Sequence, residues 1–273
     1  MKQFRCFKTS VLLLLLLVVA GACSKFRRIE RSEDWRVKYE AGLEYYNKKD
    51  YYHTGILFEQ IRPIVRGLPE GEKVEFYLAY CQYYERSYIL AADQFQSFYE
   101  TYGRSSLAEE AIFMQAYSMY ASAPAANLDQ SSSIEAMSAM QNFINRFPNS
   151  KFVDRAVEVI TESQRKLEEK GYQNALQYLK LRYYKAAIIA FDDFKAAFPD
   201  SKYLEEIAFL KVQAQYELAK VSIPSKQLER YIETLSLYQE LVDNYPSSSF
   251  LKQAEQYYRD SQAKIAKLKN NNS

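Results

Sequence analysis

The stretch Tyr183-Tyr-Lys-Ala-Ala-Ile-Ile-Ala-Phe-Asp-Asp-Phe-Lys-Ala-Ala-Phe-Pro-Asp-Ser-Lys-Tyr203 decides the fold. Ala187, Phe191, Phe194 and Phe198 stand four, three and four residues apart, which puts them on one face of a helix. Pro199 removes a backbone donor and stops that helix, and Ser201 is placed to cap the next. The frame is a small residue, large apolar residues at +4 and +7, and a stop at +12.

The frame recurs on both sides. Thr54, Phe58, Ile61 and Arg66 fit it loosely. Ala91, Phe95, Phe98 and Gly103 fit it well, as do Ala136, Met140, Phe143 and Pro148, and then Thr234, Tyr238, Leu241 and Pro246. Three copies end in similar punctuation, Phe147-Pro148-Asn149-Ser150, Phe198-Pro199-Asp200-Ser201 and Tyr245-Pro246-Ser247-Ser248. Such self-similarity marks a helical repeat protein. Composition agrees: 7 Gly and 7 Pro among 273 residues are few, which favours helix, and 25 Tyr with 16 Phe supply bulky residues to interlock helices.

Residues 1–22 read as a signal peptide. Lys2, Arg5 and Lys8 are followed by an apolar run from Val11 to Ala20 and the small residues Ala20-Gly21-Ala22, a pattern too short and wrongly flanked for a membrane span. Ala20-Gly21-Ala22-Cys23 resembles the bacterial lipobox, departing from it at Ala20 where Leu is usual. Cys23 is then the acylated residue and its acyl chains are the membrane anchor; an ordinary cleaved signal with an incidental cysteine is the other reading. Loss of the signal leaves 33 basic against 34 acidic residues, without the basic excess of a nucleic-acid binder. By resemblance to other lipoproteins, Ser24 suits sorting to the outer membrane, on its periplasmic face. Cys6 leaves with the signal, so Cys81 has no disulfide partner and reads as an apolar filler among Leu78, Ala79 and Tyr80.

The predicted order follows. Residues 23–34 form an acylated tether. Helices at 35–48 and 51–65 make the first pair, the second bent or shortened by Pro63, and Leu68 to Gly71 is a connection. Helices at 72–87 and 88–101 make the second pair. Helices at 105–121 and 134–146 make the third, interrupted by a Ser- and Ala-rich insertion at 121–133, which at that length is either functional or mobile. An extra helix at 151–170 precedes a fourth pair at 171–182 and 184–197. The fifth pair, 202–220 and 226–244, is joined by 221–225, and a capping helix covers 248–269. The fold class is therefore all-α, a tetratricopeptide-like helical-repeat solenoid of about five pairs plus extra and capping helices, with repeats 1–3 in 35–148 and the rest in 149–270.

The frame of Ala175, Tyr178, Tyr184, Ala187, Phe191 and Pro199 is similar to the tetratricopeptide repeat, although successive small positions lie 37, 45, 51 and 47 residues apart against ~34 in that repeat. With the lipoprotein signal, about five repeats and the interrupted third, the mature chain resembles the BamD family, tetratricopeptide lipoproteins of the β-barrel assembly machinery. Phe147 to Phe152 and Phe198 to Tyr203 look like that family's inter-repeat turns. The resemblance implies a periplasm-facing scaffold in the insertion of β-barrel proteins, docked on a BamA-like insertase through C-terminal repeats at about 171–269. Unfolded barrel substrates would then bind the N-terminal repeats. A barrel's last strand is an extended peptide of alternating apolar residues, and Tyr45, Tyr46, Tyr51, Tyr52, Tyr83, Tyr84 and Tyr88 exceed what the frame uses. They are the candidate peptide site; alternatively they pack helices with hydroxyls at the rim. A lipoprotein adaptor for another envelope task, such as cell-wall synthesis, would share fold and anchor. A glycan binder of the helical-repeat type would want more than the lone Trp35.

No catalytic constellation stands out. His53, the sole histidine, has no partners at metal-ligand spacing and reads as packed or solvent-facing. Glu109-Glu110, Asp192-Asp193 and Glu205-Glu206 are adjacent, so on a helix their side chains diverge by ~100° and do not converge on a substrate. No phosphate-binding glycine loop, nucleophile triad or cofactor motif occurs, and the chain is read as non-enzymatic, without metal or cofactor. Replacing Cys23 with Ala should release the folded protein from membranes. Sedimentation with the outer membrane through salt washes without detergent would overturn the acylation reading, unless a bound partner holds the protein there.

Overall fold

The computed structural model describes residues 25–270. Cys23 and the signal segment 1–22 lie outside them. The described residues are all-α, of the helical-repeat class. Residues 25–30 form α1, followed by α2 (Trp35–Asn47), α3 (Tyr51–Val65), α4 (Pro69–Tyr84), α5 (Tyr88–Thr101), α6 (Ala108–Ser122) and α7 (Ser131–Arg146). Then come α8 (Val153–Lys180), α9 (Tyr184–Ala197), α10 (Leu204–Lys220), α11 (Pro224–Asn244) and α12 (Leu251–Asn270). Helices adjacent in sequence pack on one another, α2 on α3, α4 on α5, α6 on α7 and α10 on α11. Among the described residues no helix is long and apolar enough to cross a membrane.

The described residues fall into two compact units, one of residues 25–124 and 130–163, the other of 125–129 and 164–270. The division falls inside α8, whereas the sequence reading places it after 148. In unit 1 the core joins Phe76, Ala79, Ala91, Phe95, Phe98, Met140 and Phe143, with Ala156 and Val159 from the first half of α8. In unit 2 the second half of α8 supplies Tyr172 and Ala175 to Ala187, Phe191, Phe194, Ile207 and Leu241.

The repeat frame is the core. Thr54, Ala91, Ala136, Ala187 and Thr234 are each 0% exposed, so the neighbouring backbone approaches where the side chain is small. The hydroxyls at the two threonine positions are satisfied within the chain, Thr54 Oγ1 donating to the Asp50 carbonyl at 2.8 Å and Thr234 Oγ1 to that of Arg230 at 3.0 Å. The fifth copy slips by one residue: Leu237 is buried, while Tyr238 is half-buried and leans on Tyr258, ring centroids 4.6 Å apart.

Other boundaries differ for local reasons. Pro69 and Pro224 start α4 and α11 rather than lying in loops, because proline suits a position whose N–H has no helical partner. The break expected before Gly171 is absent and α8 runs through it. A Cβ there would stand 3.2 Å from Phe194 Cδ2 and from Phe198 Cε2, so the glycine admits two rings without ending the helix. Ser201 accepts the N–H of Tyr203 at 3.1 Å, one turn before α10, and so shapes the turn without being the N-cap itself. Residues 25–30, read from sequence as tether, are helical, with Phe26 buried.

Gly42 makes the tightest crossing of unit 1, where an added Cβ would come within 2.7 Å of Phe58 Cδ1. Phe58 is itself 0% exposed and has nowhere to move. Alanine is intrinsically better in a helix by ~1 kcal/mol, but overpacking costs ~1–3 kcal/mol. Gly42→Ala should therefore lower stability in urea unfolding; equal or greater stability would show that this crossing is slack.

Candidate functional site

The candidate tyrosines lie in unit 1, and the turn chemistry explains where. Helices α2 and α4 end with Lys49 and Arg86 in left-handed backbone conformation, φ 62° and 63°. The following amides reach back one turn further, Asp50 N–H to the Tyr45 carbonyl and Ser87 N–H to that of Gln82, both at 2.9 Å. This is the Schellman closure, here without glycine. It folds the end of each first helix onto the start of its partner, so Tyr46 meets Tyr51 and Tyr83 meets Tyr88.

Five of the seven candidates join one chain of rings. Tyr46 lies against Tyr51 at 5.6 Å between centroids, and Tyr51 stacks on Tyr84 at 4.2 Å and 14°. Tyr84 touches Tyr83 at 5.4 Å, which touches Tyr88 at 5.5 Å. Tyr45 and Tyr52 stand apart from this ladder. Their ring contacts are with His53, at 5.3 and 5.4 Å, and Tyr45 also meets Phe26 at 5.7 Å. His53 is itself packed, its Nδ1 2.7 Å from Asp50 Oδ2 and its ring 4.1 Å from Phe26.

The ladder extends through residues that the sequence reading left in the packing frame or passed over. Tyr77 lies 4.4 Å from Tyr46, Tyr80 stacks on Tyr84 at 5.8 Å, and Tyr117 lies 6.1 Å from Tyr83. Spacings were the available signal: Tyr77, Tyr80 and Tyr84 stand three and four apart on α4, and Phe113, Tyr117 and Tyr120 four and three apart on α6. Arg155 of α8 closes the row, donating to the Tyr117 hydroxyl at 3.0 Å. Tyr80 and Tyr120 donate to the carboxylates of Glu110 and Glu162.

One side of the row is wet and apolar. Tyr84 is 46% exposed, and Ile89 and Leu90, which follow Tyr88, are 78% and 46% exposed. Tyr88, Ile89, Leu90 and Ser122 line an open cleft of about 750 Å³. A cleft of about 380 Å³ farther along the same helices is lined by Arg62 and Glu75, which neutralise each other at 2.8 Å. The arrangement offers stacking surface and phenol edges. Among the described residues no group of three or more His, Cys, Asp or Glu could hold a metal ion. Cys81 is buried, and burial pushes its thiol up to about 12, away from nucleophilic use.

Burial also raises the phenols. Desolvation holds Tyr46 and Tyr80 well above the ordinary phenol range, and Glu110 adds to the effect at Tyr80. Tyr83 is pushed up to about 12, first by desolvation and then by Tyr117 and Tyr88, against a small lowering by Arg155. A phenol that binds its proton more tightly when folded gives stability that is complete below its unfolded value near pH 10 and is lost as pH rises through its folded value. Stability should thus fall between pH 10 and about 12, and Tyr83→Phe should lose less of it over that window. Equal losses in both proteins would show that Tyr83 titrates as a free phenol.

Comparison with known proteins gives this geometry a family. The profile of the YfiO family, described as outer membrane lipoproteins, matches residues 32–191 and 178–271. A putative outer membrane protein assembly factor BamD of Aquifex aeolicus is 28% identical over 232 residues, covering 84% of this chain and 76% of its own. With the profile spanning nearly all of the described helices, the chain belongs to the YfiO family of outer membrane lipoproteins.

Proposed function

We propose that this protein is a lipid-anchored scaffold, without catalytic activity, in the assembly and insertion of β-barrel outer-membrane proteins. The observation that carries the reading is the tyrosine ladder with its apolar margin, on a chain whose relative is named as an assembly factor. Cys23 carries the acyl chains. The ladder of unit 1 receives the terminal strand of an unfolded barrel, alternate apolar side chains resting on Tyr84, Tyr88 and Ile89. Unit 2 docks the insertase, a BamA-like protein. Supporting that assignment, the α8–α9 and α10–α11 turns of unit 2 expose Tyr183, Val221 and Ile223 at 61%, 67% and 66%, apolar surface that a protein partner would cover. The envelope-adaptor reading shares the fold and anchor but has no observation of its own.

The test is binding of a synthetic peptide with alternating apolar residues and a C-terminal Phe. Tyr84 and Tyr88 are the residues to change, because Tyr84 is half exposed and Tyr88 lines the open cleft, whereas Tyr46 is desolvated between Tyr51 and Tyr77. Each lost stacking contact weighs ~0.5–1.5 kcal/mol, so Tyr84→Ser with Tyr88→Ser should weaken the peptide roughly tenfold. Binding should respond little to salt, and capture of the insertase should survive. Loss of the insertase with the peptide retained would mean that the two units have each other's roles.

A further inference from the structure

We propose that the edge of unit 1 formed by α1 and the α2–α3 turn is a membrane-contact surface that binds anionic lipid headgroups. This rests on the acylation of Cys23 proposed above. The first observation is how little chain separates anchor from fold. Phe26 is 9% exposed, seated with Ala41 and Leu57 and 4.1 Å from the ring of His53, so α1 is fixed to the domain at its second described residue. Only Ser24 separates Cys23 from Lys25, two residue steps with a reach of at most ~7 Å. An acyl anchor sits at the boundary of headgroups and chains, so the start of α1 is held within about a Debye length, ~8 Å, of the bilayer surface.

The second observation is the charge on that edge. Lys25, Arg27 and Arg28 are exposed on α1, and Lys49 is exposed at the turn; none of the four forms an ion pair within the described residues. Two acidic groups of the α2–α3 turn already have local partners. Glu44 is held below the usual carboxylate range by its hydrogen bond to Lys48 and then by Lys25, and Asp50 pairs with His53 at 2.7 Å. Glu30, half-buried at the far end, is the single acidic residue of α1. The mature chain is otherwise near neutral, so the local excess is a property of this edge. Tyr52 completes the surface: 65% exposed, outside the ladder and beside His53, it has the amphipathic ring favoured at membrane interfaces.

The test uses the full mature chain with Cys23→Ala, so that no acyl chain contributes. It should float with vesicles of phosphatidylglycerol and phosphatidylethanolamine, not with phosphatidylcholine vesicles, and should be released at about 0.5 M salt. Each basic residue near such a surface is worth roughly fivefold in binding. Lys25→Gln, Arg27→Gln and Lys49→Gln together should therefore weaken it by at least about tenfold with helicity and melting unchanged. Tyr52→Ser should weaken it further. Neutralising Lys264 and Lys267 on α12 should leave binding intact. Failure to bind the anionic vesicles, or equal losses in the α1 and α12 variants, would overturn the proposal. The anchor is judged separately by the intact mass of protein extracted from membranes: an unmodified Cys23 overturns acylation whatever the vesicles report.

Discussion

The helix pairs close at small positions, and at two of them a backbone meets a ring with no side chain between. Ala91, Ala136 and Ala187 hold such positions on the second helices, and Gly42 and Gly171 hold them on first helices against Phe58 and Phe194. Close packing of this kind is unforgiving, since a methylene too many displaces a ring that touches several helices. A second device places each new pair. Ser105, Ser150 and Ser201 each accept an amide two residues on while donating to a glutamate of an earlier helix, Glu72, Glu109 and Glu168 respectively. One hydroxyl thus starts the turn and ties it to the preceding repeat.

These two devices determine what could be read in advance. The small-large-large frame is a local pattern, so it shows in sequence at Ala91-Phe95-Phe98 and Ala187-Phe191-Phe194, and both triplets are core. The helix class and most helix positions follow. What stayed hidden depended on tertiary partners. Gly171 looks like a helix breaker until Phe194 and Phe198 are seen against it. The turns at Lys49, Arg86 and Arg182 adopt the left-handed conformation usually left to glycine, so nothing in their residue types announced it. Phe26, isolated among charges, gave no periodicity, and its burial needs Tyr45 and His53 from the next two helices.

The candidate site was legible by excess and illegible by arrangement. More tyrosines occur in the first two repeats than a packing frame needs, and that surplus pointed to the region. Which of them meet depends on the reverse turns: closure at Lys49 and Arg86 brings Tyr51 onto Tyr84 but leaves Tyr45 and Tyr52 with α1. Seven residues named for one role therefore divide into five on the ladder and two on the α1 edge.

That division bears on how the proposed lipid edge and the proposed peptide site would coexist in one small unit. Rings held by other rings lose little freedom when a ligand arrives, so a ladder such as Tyr46-Tyr51-Tyr84 is organised before binding and the entropy of ordering it has been met in folding. Hydroxyls that would otherwise demand water are tied off, Tyr80 to Glu110 and Tyr117 to Arg155, which keeps the stacking faces free of competing polar partners. Unpaired basic side chains stand instead on α1 and at Lys49. An apolar strand and a lipid surface are recognised by opposite physics, one through area and shape and the other through long-range charge.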